Sequence, residues 1–322
     1  MYKILDISVI IPTYNRLDDL KETLYSFKNN INLLNEIIIV DQSTSKDIKH
    51  YILGLKNKKV RYIYQKVPSL TAARNLGVQK ASKTSKIICF LDDDVTLSKG
   101  YFNEITRVFN EHPEAKGVSV YQKLPKFRIM SKFENFIKRS FLIGNLKSNS
   151  ARALSVYGNE YPSELTRIIK SQWLSGFNMN YKKEVFKSQK FDENLKRYAL
   201  AEDFDFSYRL WKKYPGSLFI TPFAKINHRA SMVERYPTAK ISYMNQINHF
   251  YLNNKNFNSN FVEKCKFLWC LFGIMLLRTA KFMLGFKTQD WLKLKYSYSS
   301  LLYCLKNKKR IINGDLSFEL KE

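Results

Sequence analysis

Apolar positions in the first third of the chain fall into short unbroken runs, separated by segments with helical spacing. Residues 7–11 are apolar except for Ser8, and Pro12 stops the run. Residues 36–41 carry Ile37-Ile38-Ile39-Val40 and end on Asp41. Residues 87–91, Ile-Ile-Cys-Phe-Leu, run straight into Asp92-Asp93-Asp94. Runs of this kind, rich in β-branched residues, read as strands buried on both faces. Residues 60–64 alternate as a third strand, and 116–121 read as a fifth. Between them, Leu20, Leu24 and Phe27, then Ile48, Ile52 and Leu55, then the Ala, Leu and Val positions of 70–81, fit helices. Ser98 is placed to cap a further helix through Phe109.

Strands alternating with helices at this rhythm predict an α/β fold, a Rossmann-like, mostly parallel sheet with helices on both faces. Ligands of such sheets bind beyond the carboxyl ends of the strands. Pro12-Thr13-Tyr14, Asp41 and Asp92-Asp93-Asp94 all fall at predicted strand ends, so three segments bring polar groups to one edge. No GxGxxG follows the first strand and no GxxxxGK[ST] occurs, which weighs against a dinucleotide oxidoreductase or a P-loop NTPase. Three adjacent carboxylates with no sequence-adjacent cation before Lys99 repel one another. They suit a hard divalent cation sharing its site with phosphates. The competing reading is a solvated acidic loop.

Further along, Lys126, Arg128, Lys132, Lys138 and Arg139 lie among Phe127, Phe133, Phe136 and Phe141, as in an amphipathic packing helix or a membrane-facing flap. Trp173 to Asn180 reads as a turn into a strand at Gly176. Glu202 and Asp203 open a helix, where carboxylates favour the positive end even without a chemical role. His228 sits in a small polar cluster, Ile226-Asn227-His228-Arg229. From Tyr243 the composition shifts to aromatic and amide-rich. Residues 267–277 are eleven without a charge, short of a spanning helix, and are followed by Arg278, Lys281 and Lys287. They fit a helix in a membrane interface or a core helix closing over the catalytic domain. Residues 291–302 extend an aromatic face into a last helix, and 306–310 form a basic run expected to be a solvated end.

Composition changes this picture in two ways. Lys and Arg number 54 against 28 Asp and Glu, a formal charge of +26, which calls for a polyanionic partner: nucleic acid, an anionic membrane face or phosphate-bearing substrates. The abundance of Lys, Asn and Ile throughout halves the weight of that charge, and no nucleic-acid motif accompanies it. The four cysteines show neither CxxC nor zinc spacing, consistent with a reducing compartment, and the N-terminal residues carry no secretory signal pattern.

Six motifs in order carry a resemblance: Val9-Ile10-Ile11-Pro12-Thr13-Tyr14-Asn15-Arg16, Ile39-Val40-Asp41-Gln42-Ser43, Ala73-Arg74-Asn75-Leu76-Gly77, Phe90-Leu91-Asp92-Asp93-Asp94, Ser175-Gly176-Phe177-Asn178-Met179, and Glu202-Asp203 with Arg209. Over residues 5–230 the chain resembles the family 2, GT-A-type inverting glycosyltransferases. The resemblance implies a nucleotide-diphosphate sugar as donor, a divalent metal (Mg²⁺ or Mn²⁺) and inversion at the anomeric carbon. By the same resemblance, Pro12 and Tyr14 line the nucleoside pocket, Asp41 bonds the base, and Arg74 lies near the base or diphosphate. Asp92 and Asp94 match the ends of the DxD motif, with Asp93 beside them on the donor and the choice between Asp93 and Asp94 as metal ligand open. Asp203 is the catalytic base, Glu202 stands beside it, and His228 helps hold metal or diphosphate. Ser69 departs from the family pattern, which commonly has Gly there.

These expectations divide the chain into a catalytic domain over 1–240 (nucleotide-sugar half about 1–122, acceptor half about 170–240) and a helical C-terminal region over 241–322. The leading function is sugar transfer to a hydroxyl of a glycan or lipid-linked acceptor in polysaccharide biosynthesis, at the cytoplasmic face of a membrane, with an anionic membrane surface and not nucleic acid as partner. The alternatives are a sugar nucleotidyltransferase, which needs a Gly-rich phosphate loop that 10–14 do not supply, a non-catalytic carbohydrate- or lipid-binding module on the same scaffold, and a basic nucleic-acid binder.

Overall fold

The computed structural model describes residues 1–123, 132–147, 149–231, 233, 236–257, 260–285 and 287–318. Contacts divide the chain into two compact units. One comprises 1–123, 165–198 and 202–235; the other comprises 124–164, 199–201 and 236–322.

The first unit begins with β1 (Ile7–Thr13), α1 (Leu17–Ser26), β2 (Glu36–Asp41), α2 (Asp47–Gly54), β3 (Val60–Tyr64), α3 (Leu70–Lys80) and β4 (Ile87–Leu91). After β4 come a short β5 (Val95–Leu97), α4 (Tyr101–Glu111) and β6 (Gly117–Val120). In the second unit, α5 (Lys132–Ser140) precedes a parallel ribbon of β7 (Gly144–Lys147) and β8 (Asn159–Pro162). The chain then returns to the first unit as β9 (Ile169–Ser171), β10 (Asn178–Lys182), α6 (Glu202–Lys213), β11 (Leu218–Thr221) and β12 (Ile226–His228). The remaining helices are α7 (Thr238–Leu252), α8 (Phe261–Gly285), α9 (Thr288–Lys306) and α10 (Lys308–Ile312).

The expected α/β architecture is present. An eight-stranded sheet runs β3-β2-β1-β4-β10-β6-β11-β9. β3, β2, β1 and β4 are parallel, as are β6 and β11, while β10 lies antiparallel between β4 and β6. Because β10 reverses direction on both sides, the carboxyl ends of β1 to β4, β6 and β11 share one edge. The apolar runs read from the sequence are fully buried: every residue of β1, β2 and β4 is. Helix α3 lies close on β1, since a Cβ at Gly77 would stand 2.4 Å from Ile10 Cγ2.

Three local expectations are corrected. Ser98 does not cap α4, which starts at Tyr101 after Gly100. Its hydroxyl instead accepts from Lys225 N (3.0 Å), and its own N–H donates to Lys225 O (2.9 Å), because the chain beside it is paired with β12. The segment around His228, read as a polar cluster, is a strand antiparallel to β5. The uncharged stretch 267–277 is the middle of α8, whose 25 residues make one helix long and apolar enough to cross a membrane. Residues 126–128 lie outside the described residues, as do the side chains of Lys132 and Phe133.

Within the second unit, α8 packs Gly273 against Phe141, whose ring stacks on Trp269 with centroids 4.5 Å apart. Half-buried Tyr157 stacks on His249 (4.7 Å, 7°) and takes a hydrogen bond from Gln246 Nε2 (2.7 Å).

Candidate active site

The turn after β4 is built from outside its own sequence. Thr23 of α1 donates to Asp93 O (2.7 Å), and its Oγ1 accepts from Val95 N (3.1 Å), which closes the turn on the helix. The register of β5 and β12 pairs His228 with Val95. That register sets His228 Nε2 3.0 Å from Asp94 Oδ1 and 4.0 Å from Asp92 Oδ2. The imidazole is steadied by Phe177, stacked at 4.9 Å. Asp92, Asp94 and His228 each offer a ligand atom, and these atoms all lie within 4.8 Å of one another.

The three carboxylates differ sharply. Asp93 turns inward: Thr13 Oγ1 donates to its Oδ2 (2.7 Å) and Arg16 Nη1 to its Oδ1 (3.3 Å). Burial pushes the Asp93 carboxyl up to about 7, against the pull of Arg16 and Thr13. Burial acts the same way on Asp94, but His228, the Ser231 N–H (2.9 Å) and Arg16 outweigh it and hold the carboxyl below the ordinary range. Asp94 Oδ1 is buried with no donor aligned on it, although His228 Nε2 stands close. Asp92 is the most open of the three, its side chain 31% exposed.

Arg74 joins this turn to α6. It is fully buried, with Nη1 paired to Glu202 Oε1 and Nη2 donating to Asp92 Oδ1 (3.3 Å) and Gly176 O (3.0 Å). One guanidinium thus serves several carboxylates. Burial pushes Glu202 up to about 8 despite Arg74, and the neighbouring charges of Asp203 and Asp92 add to the rise. Asp203 is raised by burial too, while the Phe204 and Gly176 N–H groups pull it back. Those two donors orient its carboxylate: Phe204 N to Oδ1 (2.8 Å) and Gly176 N to Oδ2 (2.7 Å). Space at Gly176 is tight: a Cβ would stand 3.2 Å from both Asp203 Oδ2 and Glu202 Oε1, so a larger residue would push on both carboxylates.

Beside these groups, the loops after β1, β2 and β3 are stitched together. Asn15, at φ 53°, donates its N–H to Ser43 Oγ (2.8 Å) and accepts from Thr44 N at its Oδ1 (3.1 Å). Gln42 Oε1 accepts from Ser69 N (2.6 Å), which fixes the entry to α3 where the family pattern departs. Pro12 is buried and Tyr14 half-buried at this edge. Asp41 lies deeper, fully buried, accepting from Tyr62 OH (2.9 Å) and Ser43 N (2.9 Å). Burial and Asp41 together drive the Tyr62 phenol upward.

Asp92, Asp94, His228, Arg74, Glu202 and Asp203 are therefore brought together, whereas Asp93 faces the protein and Asp41 sits below the surface. Sequence reasoning missed Arg16, Thr23, Phe177 and Ser231. Arg16 stands in the first motif and was open to notice. Its Nη2 also donates to Val233 O (2.7 Å), which draws the chain after β12 toward the Asp turn.

Residues 8–159 match the family model for glycosyl transferase family 2. An uncharacterized glycosyltransferase of Rickettsia felis is 30% identical over 141 residues, 44% of this chain and 23% of that protein. The GalNAc(5)-diNAcBac-PP-undecaprenol beta-1,3-glucosyltransferase of Campylobacter jejuni is 31% identical over 111 residues, 33% of this chain and 35% of that one. The chain thus spans well under half of the curated relatives it matches. Among solved structures, S. aureus TarS 1-349 superposes with TM-score 0.51 at 16% identity, covering 96% of this chain and 88% of that one. GalNAc-T7 with UDP, GalNAc and Mn²⁺ gives 0.51 at 14% identity over 81% of this chain and 53% of that one. At such identities the structural likeness is one of fold.

Proposed function

Residues 8–159 match the glycosyl transferase family 2 model, and from that match we propose that the chain belongs to this family and moves a sugar from a nucleotide-diphosphate sugar to an acceptor hydroxyl with inversion. The observation that carries this reading is the convergence on Arg74. Asp92 at the end of β4 and Glu202 in the first turn of α6, more than a hundred residues apart, pair with one buried guanidinium, and Asp203 stands next to Glu202. Displacement of a diphosphate needs charge stabilisation on one side of the anomeric carbon and a proton acceptor on the other.

Asp203 is the proposed base. Its carboxylate is oriented by two backbone donors, and burial raises its proton affinity, which strengthens it as a proton acceptor. Glu202, held by Arg74, fixes the first turn of α6. Pro12 and Tyr14 line the nucleoside pocket, and Asp41 orders its floor through Tyr62 and Ser43.

The donor set of two carboxylates and an imidazole fits a divalent cation such as Mn²⁺ or Mg²⁺. Neighbouring ligands around an ion of this size stand roughly 3 Å apart, comparable with the 3.0 Å between His228 Nε2 and Asp94 Oδ1. Asp94 Oδ1, buried without an aligned donor and 3.0 Å from His228 Nε2, would share such an ion with the imidazole. When bound, the cation would act as a Lewis acid toward the departing diphosphate. Asp93, committed to Thr13 and Arg16, would support the turn and leave the metal to Asp94.

The nucleotide-sugar half would extend over about 1–122 and the acceptor half over about 170–240, with 241–322 as a helical region that meets an anionic membrane from the cytoplasmic side. A lipid-linked or polymeric glycan acceptor suits that placement, and the acceptor named for the Campylobacter relative is lipid-linked.

A panel of nucleotide sugars with Mn²⁺ or Mg²⁺, scored by released nucleoside diphosphate, tests the proposal. Release from at least one donor, lost in chelator and restored by metal, is expected. No release from any donor would remove the transferase reading, and undiminished release in chelator would remove the metal.

A further inference from the structure

The β5–β12 ribbon has two faces, and only one is used by the site above. Pairing of Leu97 with Ile226, Thr96 with Asn227 and Val95 with His228 puts Val95, Leu97, Ile226 and His228 on one side. That side joins the core and the Asp92–Asp94 cluster. The other side carries Thr96, Ser98, Lys225 and Asn227. With Leu97 and Ile226 it forms one wall of an open cavity of about 580 Å³, whose remaining walls come from residues 121–123 after β6, Pro222 and Ala224 after β11, and Leu165. Since β6 and β11 run parallel to β4, the cavity opens at the same sheet edge as the carboxylates.

Its charge is of one sign. Lys123 and Lys225 line it, and no carboxylate does. Both lysines are exposed, and neither forms an ion pair among the described residues. The backbone of Lys225 is pinned by its two hydrogen bonds to Ser98, so one cation has a fixed base. Tyr121, Gln122, Thr96 and Asn227 add neutral hydrogen-bonding groups around it.

We infer that this cavity binds a phosphate group carried by the acceptor. Two lysines lining one open cavity, with hydroxyls and amides beside them, suit a phosphate, which lysine meets as a point charge. Asp92 and Asp94 stand at this edge and repel an acidic acceptor, although Arg74, Arg16 and His228 offset part of their charge. The lysines offset that repulsion on the far side of the ribbon and hold the phosphate while its hydroxyl reaches Asp203. The inference rests on the transferase reading and narrows its acceptor class.

The test uses the whole chain, titrated calorimetrically with glycerol 3-phosphate, glycerol and inorganic phosphate. Glycerol 3-phosphate should bind roughly threefold or more tightly than inorganic phosphate, and glycerol should give no heat. The double variant Lys123→Gln/Lys225→Gln should weaken that binding by about tenfold or more. Its thermal midpoint and its acceptor-free hydrolysis of the donor should match wild type. Unchanged binding in the double variant, no binding to wild type, or equal affinity for inorganic phosphate would each overturn the inference. A chain that hydrolyses no nucleotide sugar, yet loses glycerol 3-phosphate binding in the variant, would sink the transferase reading separately.

Discussion

Asp203 shows what a single side chain can and cannot reveal in advance. Its place in a Glu-Asp pair was legible, but its orientation depends on the Gly176 N–H, 27 positions earlier, and no local pattern announces that bond. Asp203→Asn keeps the size of the side chain and removes the proposed proton acceptor, at the cost of turning an amide NH2 toward one of the two backbone N–H groups that now meet carboxylate oxygens. Transfer should fall by about 10²- to 10⁴-fold while donor affinity in equilibrium binding stays near wild type. Burial raises the Asp203 carboxyl, so the acid limb of the wild-type kcat/KM profile should lie above the ordinary aspartate range. A second titration concerns stability alone. His249, half-buried and stacked on Tyr157, is pushed down by desolvation to about 4 from 6.5, despite a bond to Asn245 O (2.7 Å). Above pH 6.5 the ring is neutral folded or unfolded. Between 6.5 and 4 only the unfolded chain takes up the proton, so stability falls as pH drops through that window, by at most about 3 kcal/mol. His249→Phe keeps a ring in the stack and should flatten this part of a urea-denaturation series against pH. An unchanged slope would assign the acid loss to other groups.

Elements that seat the site were the hardest to read. β1, β2 and β4 announce themselves because burial on both faces leaves long apolar runs. β5 and β12 are three residues each and show no periodicity, so the ribbon that sets His228 beside Asp94 had no sequence signal beyond the resemblance itself. Arg74 is similar. Its motif was visible, but its pairing reaches Glu202, 128 positions away, and locks α3, the β4 turn and α6 to one another. Removing one member of a buried pair leaves unmatched charge, so Arg74→Met should destabilise the protein by about 3–5 kcal/mol in urea denaturation. Adding Glu202→Gln should restore part of that loss, since the orphaned charge then disappears. A double variant no more stable than the single one would show that Arg74 acts mainly through packing against Phe90 and Phe191, over whose rings its guanidinium lies at 5.9 and 5.4 Å.

At the scale of the whole molecule, charge and apolar exposure concentrate in the same unit. Residues 124–164, 199–201 and 236–322 hold 21 Lys and Arg against 8 Asp and Glu, a surplus of 13 within the total of 26. Along α8, Phe261, Leu268, Phe272, Leu276 and Met283 recur at intervals of four or seven and are all exposed, from 38% to 83% for the exposed apolar residues of this helix. The inward positions Phe267, Cys270, Leu271, Gly273 and Leu277 are buried instead. The eleven-residue run foresaw an apolar helix but understated it, because Glu263, Lys264, Lys266, Arg278 and Lys281 hide a continuous stripe when the chain is read linearly. An apolar stripe flanked by Lys264, Lys266, Lys281 and Lys287 suits the boundary of an anionic bilayer, where each cation near the surface contributes about 1 kcal/mol. The full chain should therefore cosediment with vesicles containing phosphatidylserine or phosphatidylglycerol, and bind phosphatidylcholine vesicles weakly. Leu268→Glu/Met283→Glu alters only exposed positions, so it should release the protein from anionic vesicles without moving its thermal midpoint. Raised salt should weaken wild-type binding, because only the electrostatic part is screened. If the double variant remained on the vesicles, the stripe would be a surface for a protein partner, and the lysines alone would account for the lipid binding.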